Sequence, residues 1–304
     1  MKVNWKGVLP AITTPFNEDL SIDYDFLADH AEWMIDEGGV GMVPFGSLGE
    51  AATLTYEEKL KVVEVLVDRL DGKAPVIPMV SALSTAEAIR LTKDAEAAGA
   101  SGFMVLPPYI YSSDWREMKN HVGSVFGSTE LPVMIYNNPI AYKTDFLPPQ
   151  IMELKREYPN IEAVKESSAD LRRITWLRTL PGSEELNILM GVDDIALEAV
   201  DAGAVGWIAG MVNAMPAESV HLFELARAGR REEAFELYSW FLPLLRLDIG
   251  TKFVQMIKLA QEKVGRGSAR VRPPRLELDG EELATTLRTI EEGIANRPQL
   301  QALK

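Results

Sequence analysis

The chain alternates between short runs of apolar, mostly β-branched residues and longer segments in which apolar residues recur at helical spacing. This alternation predicts strands followed by amphipathic helices. The short runs are continuously apolar, which is typical of parallel strands covered on both faces. We predict eight strands, at residues 8–13, 40–44, 76–80, 102–106, 133–136, 162–165, 188–190 and 205–209.

Eight βα units within roughly 210 residues predict an α/β fold, a (β/α)8 TIM barrel, which typically takes roughly 250 residues. The alternative is an open, doubly wound sheet, but that fold usually carries a glycine-rich phosphate loop after its first strand, and the sequence has none there. Beyond Pro216 the pattern is helical apart from the proline-rich VRPPRLELDG, without a polar linker. We therefore predict a barrel over residues 1–225 and a C-terminal helical extension over residues 226–304 packed on it.

Net charge and composition narrow the choice of partners. A formal net charge of -14 disfavours nucleic acid and anionic membranes. The absence of cysteine excludes disulfides, thiolate metal sites and a cysteine nucleophile, and is typical of a reducing cytoplasm. The sequence also lacks a signal-peptide pattern and any uninterrupted apolar segment of roughly 18 residues. We expect a cytoplasmic protein that binds a small molecule.

The segment IEAVKESSAD, residues 161–170, places Lys165 where a predicted strand ends. In a (β/α)8 barrel the carboxyl ends of the strands and the loops after them form the active site. A neutral lysine amine attacks carbonyl carbons to form a Schiff base, and a neighbouring phenol can transfer protons. Tyr136 ends the preceding predicted strand, so we predict that Lys165 and Tyr136 are catalytic.

Each of these features also has a purely structural interpretation. Lys165 could extend its amine to solvent and pair with Glu166 or Asp170. The glycine-rich GSLGE could be a tight turn alone, and Asp193 and Asp194 fit a helix N-cap at least as well as a carboxylate pair. The conjunction of lysine, tyrosine and glycine-rich turn at successive strand ends favours the catalytic interpretation.

The histidines give metal chemistry little support. His30, His121 and His221 fall within predicted helices and lack ligand spacing. A metal-dependent barrel hydrolase would need clustered histidines and carboxylates at strand ends. We therefore predict no metal site.

Three motifs together resemble one known family. GSLGE at residues 46–50 matches the G-[ST]-x-G-E loop, YNNP at 136–139 the Y-N-x-P segment, and VKESSAD at 164–170 the lysine segment of the dihydrodipicolinate synthase/N-acetylneuraminate lyase family. The motifs occur in the family's order, and the resemblance covers essentially the whole chain. It implies a class I, Schiff-base-forming barrel enzyme that acts on a 2-oxo acid or related imine, assembles as a homotetramer or dimer, and needs neither a metal nor an organic cofactor.

The resemblance also implies roles for individual residues. Lys165 forms the imine and Tyr136 transfers protons, while the 46–49 loop holds the substrate carboxylate through Ser47 and backbone N–H groups. Ile208 lies where the family closes the oxo-acid pocket. The substrate-binding residues are thus expected to be Gly46, Ser47, Leu48 and Ile208, with Tyr109, Tyr111 and Asn138 as further candidates.

The chain departs from the synthases of this family at three positions. Leu48 replaces the second of two adjacent hydroxyl residues that join a proton relay. Ile110 stands where a tyrosine would reach the neighbouring subunit, although Tyr111 follows it. Ala141 or Tyr142 replaces an arginine that binds the aldehyde substrate's carboxylate, and alanine cannot reproduce a planar guanidinium.

These departures disfavour lysine-pathway synthase activity and favour dehydration, deamination or aldol cleavage through the same imine. YNNPIAYKTD, KESSADLRRIT, GVDD and GAVGWIAGMVNAMP look most like bacterial members linked to hydroxyproline breakdown, so the first functional prediction is 1-pyrroline-4-hydroxy-2-carboxylate deaminase. The alternatives are 4-hydroxy-tetrahydrodipicolinate synthase and a 2-keto-3-deoxy sugar acid aldolase or dehydratase. A non-catalytic ligand-binding barrel is the alternative of a different class, and the retained Lys165 and Tyr136 argue against it.

Overall fold

A computed structural model of the chain describes residues 1–110 and 114–300. These residues form a parallel sheet of seven strands in the order β1-β7-β6-β5-β4-β3-β2. Strands that follow one another from β2 to β7 are neighbours, as expected for helix-linked βα units. The strands are β1 (Gly7–Pro10), β2 (Met79–Val80), β3 (Phe103–Val105), β4 (Val133–Asn137), β5 (Ile161–Glu166), β6 (Asn187–Met190) and β7 (Gly206–Ala209).

The predicted strand at residues 40–44 does not form as a strand. Isolated bridges join Met42 to Val76 and Val43 to Ala11. Backbone hydrogen bonds join this segment to both neighbours, as from Val43 to Pro10 and from Met42 to Pro75, but Pro10 and Pro44 have no amide N–H and interrupt the two series. The structure thus shows an α/β fold with a seven-stranded parallel sheet, which corrects the prediction of eight strands.

Helices connect the strands and continue beyond the last one. They are α1 (Tyr24–Asp36), α2 (Tyr56–Leu70), α3 (Thr85–Ala97), α4 (Trp115–Phe126), α5 (Pro139–Tyr142), α6 (Pro148–Glu157), α7 (Arg172–Thr179), α8 (Ala196–Ala202), α9 (Pro216–Arg227), α10 (Arg231–Leu245), α11 (Phe253–Lys263) and α12 (Gly280–Ala295). Side chains cap the starts of some of these helices: Asp23 accepts the N–H of Phe26 before α1, and Thr55 and Glu58 form a capping box at α2. No helix of the described residues is long and apolar enough to cross a membrane.

The register of β4 and β5 places the two predicted catalytic residues side by side. Tyr136 pairs with Lys165, one residue before each strand ends. Residues at paired positions of neighbouring strands point to the same face of the sheet. The sheet therefore brings the phenol and the amine together at its carboxyl edge.

Residues of the segment beyond residue 225 form ion pairs and hydrogen bonds with the rest of the chain. Arg297 pairs with Glu218 at 3.0 Å, and Arg272 pairs with Glu58 at 2.8 Å. Arg272 also donates to the Leu20 carbonyl at 2.6 Å. These contacts join the C-terminal segment to α9, to α2 and to the residues before α1. The domain boundary between residues 225 and 226 stays a prediction.

Candidate active site

Lys165 is buried beside Tyr136. The lysine is 8% exposed, and its Nζ lies 4.2 Å from the centroid of the Tyr136 ring. Tyr136 is 3% exposed, and its hydroxyl accepts a hydrogen bond from Asn138 Nδ2 at 3.0 Å. The amine thus lies against the face of the phenol ring, beside the residue predicted to transfer protons.

The carboxylates near Lys165 in sequence have other partners. Glu166 accepts hydrogen bonds from Asn137 Nδ2 at 3.1 Å and from a backbone N–H at 2.8 Å. Asp170 binds Arg172 through two contacts of 2.7 and 2.8 Å. Across residues 1–110 and 114–300, Lys165 forms no ion pair, so the pairing that a structural lysine would make with Glu166 or Asp170 is not observed.

Gly191, directly after β6, leaves room for the lysine side chain. A Cβ at position 191 would lie 2.4 Å from Lys165 Cε and 2.1 Å from Ser167 Oγ. Neither distance is compatible with a real side chain, since close-packed interiors have no free space to yield. The path of Lys165 across the strand ends therefore requires glycine at this position.

Gly191→Ala is expected to displace Lys165 and slow its borohydride trapping with pyruvate by about 100-fold, because small misplacements of reacting groups have large rate effects. Intact-protein mass spectrometry over a time course measures the trapping rate. Gly250→Ala is the matched control, since a Cβ there meets no atom within 4 Å. Equal trapping rates in the two variants would show that the lysine does not depend on the space at Gly191.

A hydrogen bond joins the glycine-rich loop to the YNNP segment. Ser47 Oγ is bonded to the hydroxyl of Tyr142, whose ring meets those of Tyr136 and Tyr109 edge-on at centroid distances of 6.1 and 5.6 Å. Burial raises the pKa of Tyr142, and the neighbouring Tyr136 adds to the rise. Tyr142 is thus a neutral phenol between the predicted carboxylate-binding loop and the predicted catalytic tyrosine.

The one-turn helix α5 positions Tyr142. Asn138 Oδ1 accepts the N–H of Ala141 at 3.0 Å, which caps the turn. Lys143 ends the turn at a left-handed φ of 61°, and its Nζ donates to the Ile140 carbonyl at 2.9 Å. Lys143, the cation nearest in sequence to the position of the missing arginine, is therefore hydrogen-bonded within its own turn.

A buried ion pair from the C-terminal segment holds the end of the glycine-rich loop. Lys258 Nζ lies 2.6 Å from Glu50 Oε1, and the two side chains are 2% and 0% exposed. The Arg272 N–H also donates to Glu50 at 3.2 Å. Burial lowers the pKa of Lys258 to about 8, and the charge of Glu50 opposes this shift. Because Glu50 has a left-handed φ of 56°, the ion pair fixes the strained end of this loop.

The other predicted substrate-binding residues differ in their surroundings. Leu48 and Ile208 are buried among core side chains. Gly46 is buried, and a Cβ there would be in ordinary van der Waals contact with Met104 Cε at 3.8 Å. Ile110 is exposed, and Tyr111 lies outside the described residues. The binding roles of these residues stay predictions.

Asp193 and Asp194 neither cap a helix nor share a site. Asp193 is fully buried, accepts a hydrogen bond from Trp207 Nε1 at 2.9 Å, and binds two backbone N–H groups after β7 at 2.8 to 3.2 Å. Burial raises the pKa of Asp193 to about 6, and these hydrogen bonds oppose the rise. Asp194 lies 3.8 Å from Arg246. The buried carboxylate therefore has a structural set of partners.

Two of the histidines are packed against neighbouring side chains. His30 stacks on Phe26 with ring centroids 5.3 Å apart, and its Nε2 contacts Gln261. His121 is hydrogen-bonded to Thr85 at 2.9 Å. In the described part of the chain, no group of three or more histidine and carboxylate side chains is placed to hold a metal ion.

Residues 4–292 match the model of the dihydrodipicolinate synthetase family. The chain belongs to this family. A 4-hydroxy-tetrahydrodipicolinate synthase of Methanococcus maripaludis is 33% identical over 273 residues, 90% of this chain and 93% of that protein. The crystal structure of a putative dihydrodipicolinate synthetase from Pseudomonas aeruginosa matches 95% of this chain and 100% of its own at 32% identity and a TM-score of 0.90. YagE, a prophage protein of the dihydrodipicolinic acid synthase family from E. coli K12 in complex with pyruvate, matches 95% of this chain and 99% of its own at 27% identity and a TM-score of 0.89.

Membership in the dihydrodipicolinate synthetase family confirms the resemblance found in the three motifs. The protein is an enzyme of the class I, Schiff-base lyase type. The named relatives are synthases, so they agree with the alternative stated from the sequence and not with the first functional prediction.

Two features of this family member escaped the sequence analysis. Tyr142 was considered only as a replacement for arginine, and its contact with Ser47 spans 95 positions. Lys258 was not considered, and its contact with Glu50 spans 208 positions. The sequence did contain one indication that Lys258 is buried and paired. It lies on the apolar face of the helical pattern FVQMIKLAQ, where a lysine needs a partner.

Proposed function

We propose that the enzyme binds a small 2-oxo acid or cyclic imine and forms a Schiff base through Lys165. The observation that carries this proposal is the buried amine 4.2 Å from the Tyr136 ring. A family member whose structure is described as a complex with pyruvate supports the same substrate class.

In this mechanism Lys165 Nζ adds to C2 of the substrate, and loss of water or ring opening gives the lysine imine. Tyr136 moves the protons. Asn138 Nδ2 donates to the tyrosine oxygen, which leaves the phenol's own proton free for transfer. Ser47 and the backbone N–H groups of the 46–49 loop bind the substrate carboxylate, with Tyr142 orienting the serine hydroxyl.

For the physiological substrate we propose 1-pyrroline-4-hydroxy-2-carboxylate. Lys165 attacks the ring C=N carbon, the ring opens to the lysine imine and the 4-hydroxyl leaves. Hydrolysis then releases ammonia and 2-oxoglutarate semialdehyde, so that one water is consumed overall. The support is the composition of the site: Leu48 and Ala141 replace the hydroxyl and guanidinium that a synthase uses, and Lys143 donates to a carbonyl of its own turn.

The second candidate is 4-hydroxy-tetrahydrodipicolinate synthase. The relatives at 32% to 34% identity favour it directly, since they are synthases. In that reaction the enzyme-bound 2-oxo acid adds to an aldehyde that carries a second carboxylate. The proposals differ in the product formed, and they share the imine on Lys165.

Parallel incubations separate these proposals. The enzyme is mixed with pyruvate, longer 2-oxo acids or the hydroxy-pyrroline, then reduced with borohydride and mapped by peptide mass spectrometry. Ammonia release from the hydroxy-pyrroline is assayed beside condensation of pyruvate with the aldehyde substrate of the synthases. Ammonia release supports the deaminase, and condensation alone supports the synthase. No adduct with any carbonyl compound, from folded protein, would contradict imine chemistry.

We also infer a homotetramer or dimer. Three large apolar side chains, in the segments that follow β2, β3 and β4, are 71%, 54% and 57% exposed: Leu83, Ile110 and Ile140. Apolar groups that gather at one edge of a sheet are typical of subunit interfaces. Light scattering coupled to size exclusion measures the mass, and a stable monomer would contradict the inference.

A further inference from the structure

A second carboxyl group lies beside Asp193 at the carboxyl end of β7. Asp248 ends the 3-10 turn that follows α10, and this turn packs against the turn that carries Asp193. The Asp248 carboxyl covers Gly210: a Cβ at position 210 would lie 2.3 Å from Oδ1 and 2.6 Å from Cγ. The Gly210 N–H donates to Asp193. The C-terminal segment thus delivers a carboxyl group to the edge of strand ends that also carries Lys165.

Asp248 is the available member of this carboxyl pair. Both oxygens of Asp193 accept hydrogen bonds from N–H groups. Within the described ranges, the Asp248 side chain makes neither a hydrogen bond nor an ion pair, although the residue is half-buried. The adjacent Arg246 faces Asp194 instead, at 3.8 Å. The carboxyl oxygens of Asp248 are therefore available to hydrogen-bond a ligand that enters the site.

The surroundings favour the protonated form of this side chain. Burial raises the pKa of Asp248 well above its usual value, and the negative charges of Asp193 and Asp194 add to the rise. The positive charge of Lys165 opposes this rise in part. A carboxylic acid held neutral by apolar or anionic surroundings is a proton donor at neutral pH.

We propose that Asp248 is the general acid that protonates the leaving hydroxyl of the imine-bound substrate. The proposal rests on the imine chemistry and the hydroxy-pyrroline substrate proposed above. The lysine enamine, N–C2=C3, gives its electron pair to a new C3=C4 bond while the C4–O bond breaks. The proton of Asp248 passes to the departing oxygen, which leaves as water, and solvent reprotonates the carboxylate.

Asp248→Asn keeps the shape of the side chain and removes the acid. We expect ammonia release from 1-pyrroline-4-hydroxy-2-carboxylate to fall by about 100-fold, the lower end of general-acid effects. Borohydride trapping of pyruvate, and exchange of its methyl protons for deuterium, need only Lys165 and Tyr136 and should stay within about twofold. Asp201→Asn is the matched control, since Asp201 is an exposed partner of Arg231 and should leave all three measurements unchanged.

The 4-fluoro analogue of the pyrroline tests the acid role itself. Fluoride leaves without a proton, so Asp248→Asn should process the analogue at close to the wild-type rate. Wild-type turnover of the hydroxy-pyrroline should also fall as rising pH ionises Asp248, and the variant should lack this dependence. The groups facing Asp248 that shape the profile are Asp193, Asp194 and Lys165.

The possible negative results contradict different parts of the proposal: the acid role, the substrate or the imine. Normal turnover of the hydroxy-pyrroline by Asp248→Asn, or an equal loss with the fluoro analogue, would overturn the acid role. Loss of deuterium exchange together with turnover would mark Asp248 as structural and also overturn it. Wild-type enzyme that traps pyruvate but releases no ammonia would refute the substrate and the acid role together, whereas absence of any adduct would refute the imine itself.

Discussion

Lys165→Ala is expected to abolish imine formation with every carbonyl compound and to reduce turnover by at least about 10⁴-fold, as removal of a covalent nucleophile does in other enzymes. The physical reason is that alanine leaves no nucleophile at the end of β5, while the buried Tyr136 cannot replace it. Steady-state kinetics and borohydride reduction followed by intact-protein mass spectrometry measure the two losses.

Lys61→Ala is the matched control for this prediction. Lys61 lies on α2, its side chain is 55% exposed, and it forms an ion pair with Glu64 at 3.2 Å. Trapping and turnover should remain at the wild-type level. An adduct of equal yield on Lys165→Ala protein would place the reactive amine elsewhere in the chain and contradict the assignment.

Lys258→Met is expected to lower the free energy of unfolding by about 3 to 5 kcal/mol, because it leaves the Glu50 carboxylate buried without its ion-pair partner. The remaining contacts of Glu50 are an Arg272 N–H at 3.2 Å and the Arg275 guanidinium at 4.0 Å, which do not replace a 2.6 Å ion pair. Guanidinium chloride denaturation followed by fluorescence measures the change.

Two further variants separate stability from loop geometry. Lys61→Met breaks the exposed pair with Glu64 and should change stability by less than about 1 kcal/mol. The double variant Glu50→Met/Lys258→Met removes both charges, and much of the lost stability should return. If the ion pair also shapes the carboxylate-binding loop, the affinity of the double variant for pyruvate will remain below that of the wild type even though its stability returns. Full pyruvate affinity in that variant would restrict the ion pair to a role in folding.

The strands that carry the chemistry could be predicted because their signal is local. The apolar runs at 133–136 and 162–165 correspond to β4 and β5, and each ends in the polar turn that the motif predicts. The order of βα units then brings neighbouring strand ends together without further information. The segment at 40–44 has the same apolar composition, but Pro10 and Pro44 lack amides that a continuous ladder needs.

Contacts between residues that are far apart in the sequence could not be predicted from sequence patterns. The Ser47 contact with Tyr142 depends on the turn at α5, and neither residue type indicates the other as its partner. Asp248 follows a long helical pattern in the sequence, and its position over Gly210 depends on how the turn after α10 packs against the turn that carries Asp193. A helical pattern predicts which face is buried and does not specify which partner covers it.

By itself the sequence determined the βα alternation, the family, and the placing of Lys165 and Tyr136 at neighbouring strand ends, because apolar periodicity and turn chemistry act over a few residues. Only the tertiary structure decided the surroundings of these two side chains: the glycine at 191 that admits the lysine, the Lys258 ion pair behind the loop, and the position of the Asp248 carboxyl over Gly210. The reason is physical. Burial and pairing of charges depend on three-dimensional proximity between distant segments, and their energetic effect exists only once the chain has excluded water from around them.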